Sequence, residues 1–311
     1  MSLLIIGSIA IDSIETPFGS IENTIGGSGS YLALAANIFY PNTYLISQVG
    51  YDFKQEFIET LVQKGINTQG LTVDPEAKTF HWKGKYHADL NHRESLITEL
   101  NTLQDYLPTI PGSDSKPDFL ILGNFHPEKQ LHVLSQLTKR PQFIAMDTID
   151  YWIENHGEKL DELFEKIDLL CINEEEARLI TDEHMIKKAA SKLLAKGIKY
   201  VIVKKGEHGA LLFKEDEAFY APGLPLEEVF DPTGAGDTFL GGLMGYLALE
   251  KEVSFESLKR ALVHGSALAS FCVEKFGTKN LLNLTTDQIE HRLHDFIDLV
   301  QFEIKLSNEK K

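Results

Sequence analysis

Six short and almost wholly apolar runs, at residues 3–9, 43–49, 119–122, 142–146, 169–172 and 200–203, leave no polar face for water. Strands of that kind must be covered on both sides, which is the habit of parallel sheets. Each run ends near Gly, Asp or Asn, and stretches of helical length with amphipathic spacing lie between them, among them 28–39, 174–180, 235–250, 254–276 and 286–304. This alternation predicts an α/β fold: a doubly wound, mainly parallel sheet flanked by helices, with its ligand loops beyond the carboxyl ends of the strands. At 311 residues, one large domain over 1–305 with a polar tail at 306–311 accounts for the chain.

One stretch breaks the rhythm. Residues 78–100 read KTFHWKGKYHADLNHRESLITEL, with Phe80, Trp82 and Tyr86 at even spacing and polar residues between them. Period two describes a strand with one apolar face. Together with short strands near 12–15 and 71–73, it predicts a small β-sheet lid, inserted as segments of about 12–26 and 71–100. An edge hairpin of the main sheet is the alternative.

Charge limits the partners. With 30 Lys and Arg against 46 Asp and Glu, the formal charge is −16. No global positive field exists to attract nucleic acid or an anionic membrane, so an anionic ligand must be held locally. Cys171 and Cys272 provide neither a disulfide framework nor metal-ligand spacing. Residues 1–14 carry no basic segment, and no apolar run approaches the roughly 20 residues needed to cross a bilayer. A cytoplasmic protein with no nucleic-acid or membrane partner is the expectation.

The most informative segment is Asp231-Pro232-Thr233-Gly234-Ala235-Gly236-Asp237-Thr238, followed directly by FLGGLMGYLALE. Glycines at a helix entry let the backbone approach a ligand. The free N–H groups of the first turn, with the positive end of the helix dipole behind them, make an anion cradle. Gly234, Ala235 and Gly236 would hold a transferring phosphoryl group, and Asp237 would accept the proton of an attacking hydroxyl. Helix capping is the other use of an Asp at this position.

The string DPTGAGDTFLGG resembles the C-terminal signature of the ribokinase-like, PfkB-type carbohydrate and nucleoside kinases, and further positions agree in order over nearly the whole chain. Asp12 after the first strand resembles the family's early substrate Asp, Gly26-Gly27 its di-glycine hinge, and VGYD at 49–52 the start of its next motif. Asn173 and Glu176 resemble its magnesium-linked Asn-x-x-Glu, although helix capping also explains them. Lys205, Gly206 and Gly209 resemble its nucleotide-side turn, although a plain hairpin between YVIVK and ALLFK reads equally well. The resemblance implies ATP as donor and Mg2+ bridging through water at Asn173 and Glu176. Nucleotide contacts at Lys205, Gly206, Gly209, Thr233, Gly234 and Gly236 follow from it, as do K+ beside the cradle and a homodimer through the lid.

Three departures fall on the acceptor and phosphate sides. Tyr31 stands where the family usually has Asn, and Gln55 where Gly is common. The segment 147–152, DTIDYW, lacks the Asn and Arg of Asp-x-Asn-x-Arg. Tyr31, Phe80 and Trp82 then add aromatic surface for stacking on a base, or else form a lid core. The acceptor site is assigned to Asp12, Gly26, Gly27, Tyr31, Phe80 and Trp82. The function implied is ATP- and Mg-dependent transfer of a γ-phosphoryl group to the hydroxymethyl group of a sugar, as in ribokinases and fructokinases. A nucleoside kinase is the alternative, and a non-catalytic ligand-binding descendant is a third reading, disfavoured by the intact Asp237.

Overall fold

The structure, a computed structural model, describes residues 2–112 and 115–301; the polar tail at 306–311 lies outside them. Among the described residues, nine strands form the main sheet. They are β1 (Leu3–Ile6), β4 (Thr43–Gly50), β5 (Asn67–Asp74), β8 (Phe119–Leu122), β9 (Phe143–Met146), β10 (Leu169–Asn173), β11 (Tyr200–Lys204), β12 (Ala210–Lys214) and β13 (Glu217–Ala221). Their order is β13-β12-β11-β10-β9-β8-β1-β4-β5, parallel from β5 to β11 and antiparallel for the last two. The order departs in both directions from β1, which makes the sheet doubly wound.

Strand alternation assigns the two core faces. Leu3, Ile5, Phe119, Ile121, Phe143 and Leu169 face one layer, containing α1 (Ser28–Phe39), α8 (Ala235–Glu250) and α9 (Phe255–Cys272). Leu4, Ile6, Leu120, Leu122, Ile144 and Leu170 face the other, containing α3 (Pro127–Ser135), α5 (Gly157–Phe164), α6 (Glu174–Thr181) and α7 (Ile186–Ala195). The remaining helices are α2 (Gln55–Gln63), α4 (Asp150–Asn155) and α10 (Thr286–Val300). The apolar composition of α8 on all sides is explained by its burial between α1 and α9. Cys171 and Cys272 are both free and buried. None of the described helices is long and apolar enough to cross a membrane.

The second sheet is the lid, with strands β2 (Ala10–Thr16), β3 (Gly19–Gly26), β6 (Phe80–Tyr86) and β7 (Arg93–Glu99) in the order β3-β2-β6-β7. Its β2–β6 pair is parallel and the other two pairs are antiparallel. One boundary needs correction: residues 71–73 do not belong to the lid. They lie in β5, which pairs in parallel with β4 at the edge of the main sheet, so the second lid segment begins at β6. Edge position explains the misreading, because β5 is only partly covered, as a lid strand would be.

All seven residues of β7 are exposed, whereas all four of β1 are buried. Local opening therefore costs far less in the lid than in the main sheet. In native-state hydrogen exchange, amides of Arg93–Glu99 should exchange at least about tenfold faster than those of Leu3–Ile6. Equal protection in the two strands would make the lid part of the rigid core.

Candidate active site

The residue that opens α8 is held in a conformation few side chains accept. Gly234 has φ +75°, and a Cβ on it would lie 2.5 Å from three ring carbons of Tyr31. Tyr31 is thus the floor under the cradle. It is 1% exposed, and its hydroxyl has no hydrogen-bond partner among the described residues. The stacking role expected for Tyr31 is therefore corrected: its ring packs against backbone and offers no face to a ligand. Asp231, 1% exposed, fixes the loop from the other side. Its two oxygens accept the N–H of Thr233 at 2.9 Å and of Gly277 at 2.9 Å.

The cradle itself shifts by one residue from expectation. The N–H groups of Gly234, Gly236 and Asp237 have no partner among the described residues, whereas Ala235 donates its own to the Pro232 carbonyl at 3.2 Å. Three N–H groups at one helix start, ahead of an otherwise apolar helix, form a site for an anion.

Across from the cradle lies the lid. Asp12 on β2 is 3% exposed and accepts the N–H of Gly27. A Cβ on Gly26 would fall 1.7 Å from its Oδ2, so the di-glycine is what allows β3 to turn into α1 against this carboxylate. Asp12 is registered beside Trp82 on β6, and Ala10 beside Phe80, so these side chains share one lid face. Tyr86, further along the same face, brings its hydroxyl within 3.1 Å of Thr233 Oγ1. Thr233, expected on the nucleotide side, thus bonds to the lid. Trp82 is partly buried and donates Nε1–H to Ser95 at 3.1 Å.

Carboxylates crowd the centre. Burial first and Asp147 second push Asp237 up to about 7, against the opposing pull of Lys204 and Arg93. Burial also pushes Asp12 up to about 7, with Asp231 and Asp237 adding to the effect. Glu176 rises to about 7 by burial, against the pull of Lys204. Lys204 donates to Asp147 Oδ2 at 2.9 Å; burial favours its neutral form, but Asp147, Cys171 and Glu176 outweigh that and hold it protonated.

Asn173 and Glu176 form a reciprocal capping box at the start of α6, each bond 2.8 Å. Capping thus uses Asn173 Oδ1 and Glu176 Oε2, leaving Glu176 Oε1 without a hydrogen bond among the described residues. No group of three His, Cys, Asp or Glu side chains among the described residues is placed to hold a metal directly. Gly206 (φ +56°) and Gly209 (φ +95°) shape the turn between β11 and β12. Lys205 is drawn to Glu174 at 2.7 Å and is not aimed at the cradle.

Three functional candidates were missed. Arg93 on β7 hydrogen-bonds Tyr86, and its charge acts on Asp12, Asp237 and Glu176. Nothing in a polar, exposed strand announces it. Asp231 was visible as the first letter of the signature, and Lys204 as a lysine closing an otherwise apolar strand. Of the departures, Gln55 is the exposed first residue of α2. Trp152 in 147–152 donates Nε1–H to Asn124 at 2.7 Å.

Comparison with known proteins agrees with the fold. The family model for pfkB family carbohydrate kinases matches residues 2–285. A cytidine kinase of Thermococcus kodakarensis is 29% identical over 253 residues, covering 79% of this chain and 88% of that protein. A nucleoside kinase of Burkholderia thailandensis, solved with ADP and inosine, superposes with a TM-score of 0.79 at 20% identity over 100% of this chain and 99% of its own. A Vibrio cholerae fructokinase superposes with a TM-score of 0.78 at 19% identity, covering 94% and 99%. With the signature loop, the sheet order, the lid and the family match in agreement, the chain belongs to the pfkB family of carbohydrate kinases and is a phosphotransferase that acts on a hydroxyl of a sugar or nucleoside.

Proposed function

We propose that this kinase moves the γ-phosphoryl group of ATP to the hydroxymethyl group of a ribosyl unit, and that a nucleoside is its preferred acceptor. The observation that carries the chemistry is the placement of Asp237 at three free N–H groups, so that base and phosphoryl cradle share one helix turn. The acceptor hydroxyl gives its proton to Asp237 as its oxygen bonds to the γ phosphorus. The bond to ADP breaks and leaves its electron pair on ADP. Charge that builds on the phosphoryl oxygens faces the N–H groups of Gly234, Gly236 and Asp237. Asp12 and Gly27 orient the acceptor beneath the lid, where Trp82 and Phe80 exclude water.

Glu176 is the residue that fits magnesium, since Oε1 remains uncommitted after capping and one carboxylate acting through water suffices for that ion. Magnesium bound there would screen the charge of the donor phosphates. The turn at Gly206–Gly209 suits the nucleotide side. Preference for a nucleoside rests on the cytidine kinase relative, which aligns over most of both chains. The burial of Tyr31 removes one argument for base stacking and supports the second reading, a free-sugar kinase, as does a Haemophilus influenzae ribokinase 33% identical over 43% of this chain. Phosphate transfer from labelled ATP to cytidine, inosine, adenosine, ribose and fructose separates the two. The highest kcat/KM should belong to a nucleoside, and a higher value for ribose or fructose would establish the sugar reading.

Asp237→Asn keeps the shape of the side chain but cannot take the proton. It should lower kcat by about 10² to 10⁴ with little change in ATP affinity. A variant retaining half the parent rate, with chemistry rate-limiting, would reduce Asp237 to a helix cap.

The pH profile carries the sign of the burial effect. The base works ionised, so with Asp237 pushed up to about 7, kcat/KM should fall about tenfold per pH unit on the acid side of neutrality. An acid limb near pH 4 would mean a solvated carboxylate at the reacting hydroxyl.

A further inference from the structure

The cradle has a cation of its own, supplied by the main sheet. Lys204 closes β11, and its Nζ lies 3.0 Å from the point where a Cβ on Gly236 would sit. The ammonium therefore stands beside Gly236, the residue that carries one of the three free N–H groups. Its side chain is 18% exposed and makes one hydrogen bond, to Asp147. An ammonium has three donors, so two remain without a partner among the described residues. Leaving donors of a mostly buried ammonium unmet is costly.

The surroundings say what would meet them. Asp147, Glu176 and Asp237 all act on this one lysine or are acted on by it. Arg93 also acts on Asp12, Glu176 and Asp237 from the lid, but the ammonium of Lys204 is the cation placed beside Gly236, where it can turn toward the phosphates that this carboxylate cluster would otherwise repel. The other nearby lysine, Lys205, is taken up by Glu174. Residues 148–152 bring no cation to this side.

We propose that Lys204 is a catalytic residue of the phosphoryl transfer, its free N–H donors binding oxygens of the transferring phosphoryl group beside the Gly236 N–H while Asp147 holds the ammonium in place. Lys204 keeps its proton throughout. The hydroxyl proton still goes to Asp237, and the breaking bond still leaves its electrons on ADP. This rests on the kinase reading above.

The test must separate a phosphoryl contact from a mere counter-ion for Asp147. Lys204→Met, Asp147→Asn and the double variant are compared with the parent by steady-state kinetics and thermal unfolding. Lys204→Met should lower kcat by about 10² to 10³, as loss of one charge-stabilising donor does, with both KM values within about threefold. It should also unfold earlier, because Asp147 is left buried and unpaired. The double variant removes that unpaired carboxylate and should regain the thermal midpoint, yet stay at least about thirtyfold slower in kcat than Asp147→Asn alone. Should Lys204→Met fail to fold, the comparison of the double variant with Asp147→Asn decides the matter. Equal kcat in those two would overturn the role given to Lys204 while leaving the kinase reading intact. A parent that transfers phosphate to none of the acceptors would overturn both.

Discussion

The contact of Gly234 with the ring of Tyr31 sets the geometry on which the site depends. A flat aromatic face on α1 supports a backbone turn that no residue with a Cβ could make in that space, and α8 begins from that turn. Asp231 clamps the same loop through Thr233 and Gly277. The N–H groups of Gly234, Gly236 and Asp237 are thereby fixed before any ligand arrives, which is how a preorganised site avoids reorganisation during the reaction. Burial of α8 between α1 and α9 from Thr238 onward anchors the helix directly behind the partly exposed cradle.

Electrostatics follow from placing such a cradle in a chain with a formal charge of −16. Asp12, Glu176 and Asp237 are each pushed up to about 7 by burial, so they are poised to gain or lose protons near neutrality. Raised carboxylates at a cleft suit proton transfer better than structural pairing. Positive charge comes from opposite directions: Lys204 from the main sheet and Arg93 from the lid. The lid thereby contributes to the site's charge, because Arg93 belongs to β7 and its charge acts on Asp12, Asp237 and Glu176.

Much of the fold was legible because its central strands are buried on both faces, and short apolar runs such as Phe119–Leu122, bounded by turn residues, read as strands of a covered sheet. Edge elements were not. Residues 71–73 of β5 were assigned to the lid, because an edge strand of the main sheet is as incompletely covered as a lid strand. In the site, Asp12, Gly26, Gly27, Gly234, Gly236 and Asp237 were singled out because glycines that demand special backbone geometry leave a local mark. Side-chain direction leaves none. Tyr31 follows the di-glycine in sequence, yet the helix turns its ring inward beneath Gly234. Lys205 was placed on the nucleotide-side turn, but the chain leaving β11 directs it to Glu174, while Lys204 stands beside Gly236.

The central claim is that the start of α8 binds the phosphoryl group in flight. A crystal structure with ADP, aluminium fluoride, magnesium and an accepted alcohol tests it most directly. The account predicts a planar fluoroaluminate within about 3 Å of the N–H groups of Gly234 and Gly236, with an Asp237 oxygen at hydrogen-bond distance from the acceptor hydroxyl. A fluoroaluminate seated away from that helix start, with Asp237 touching only backbone, would contradict it.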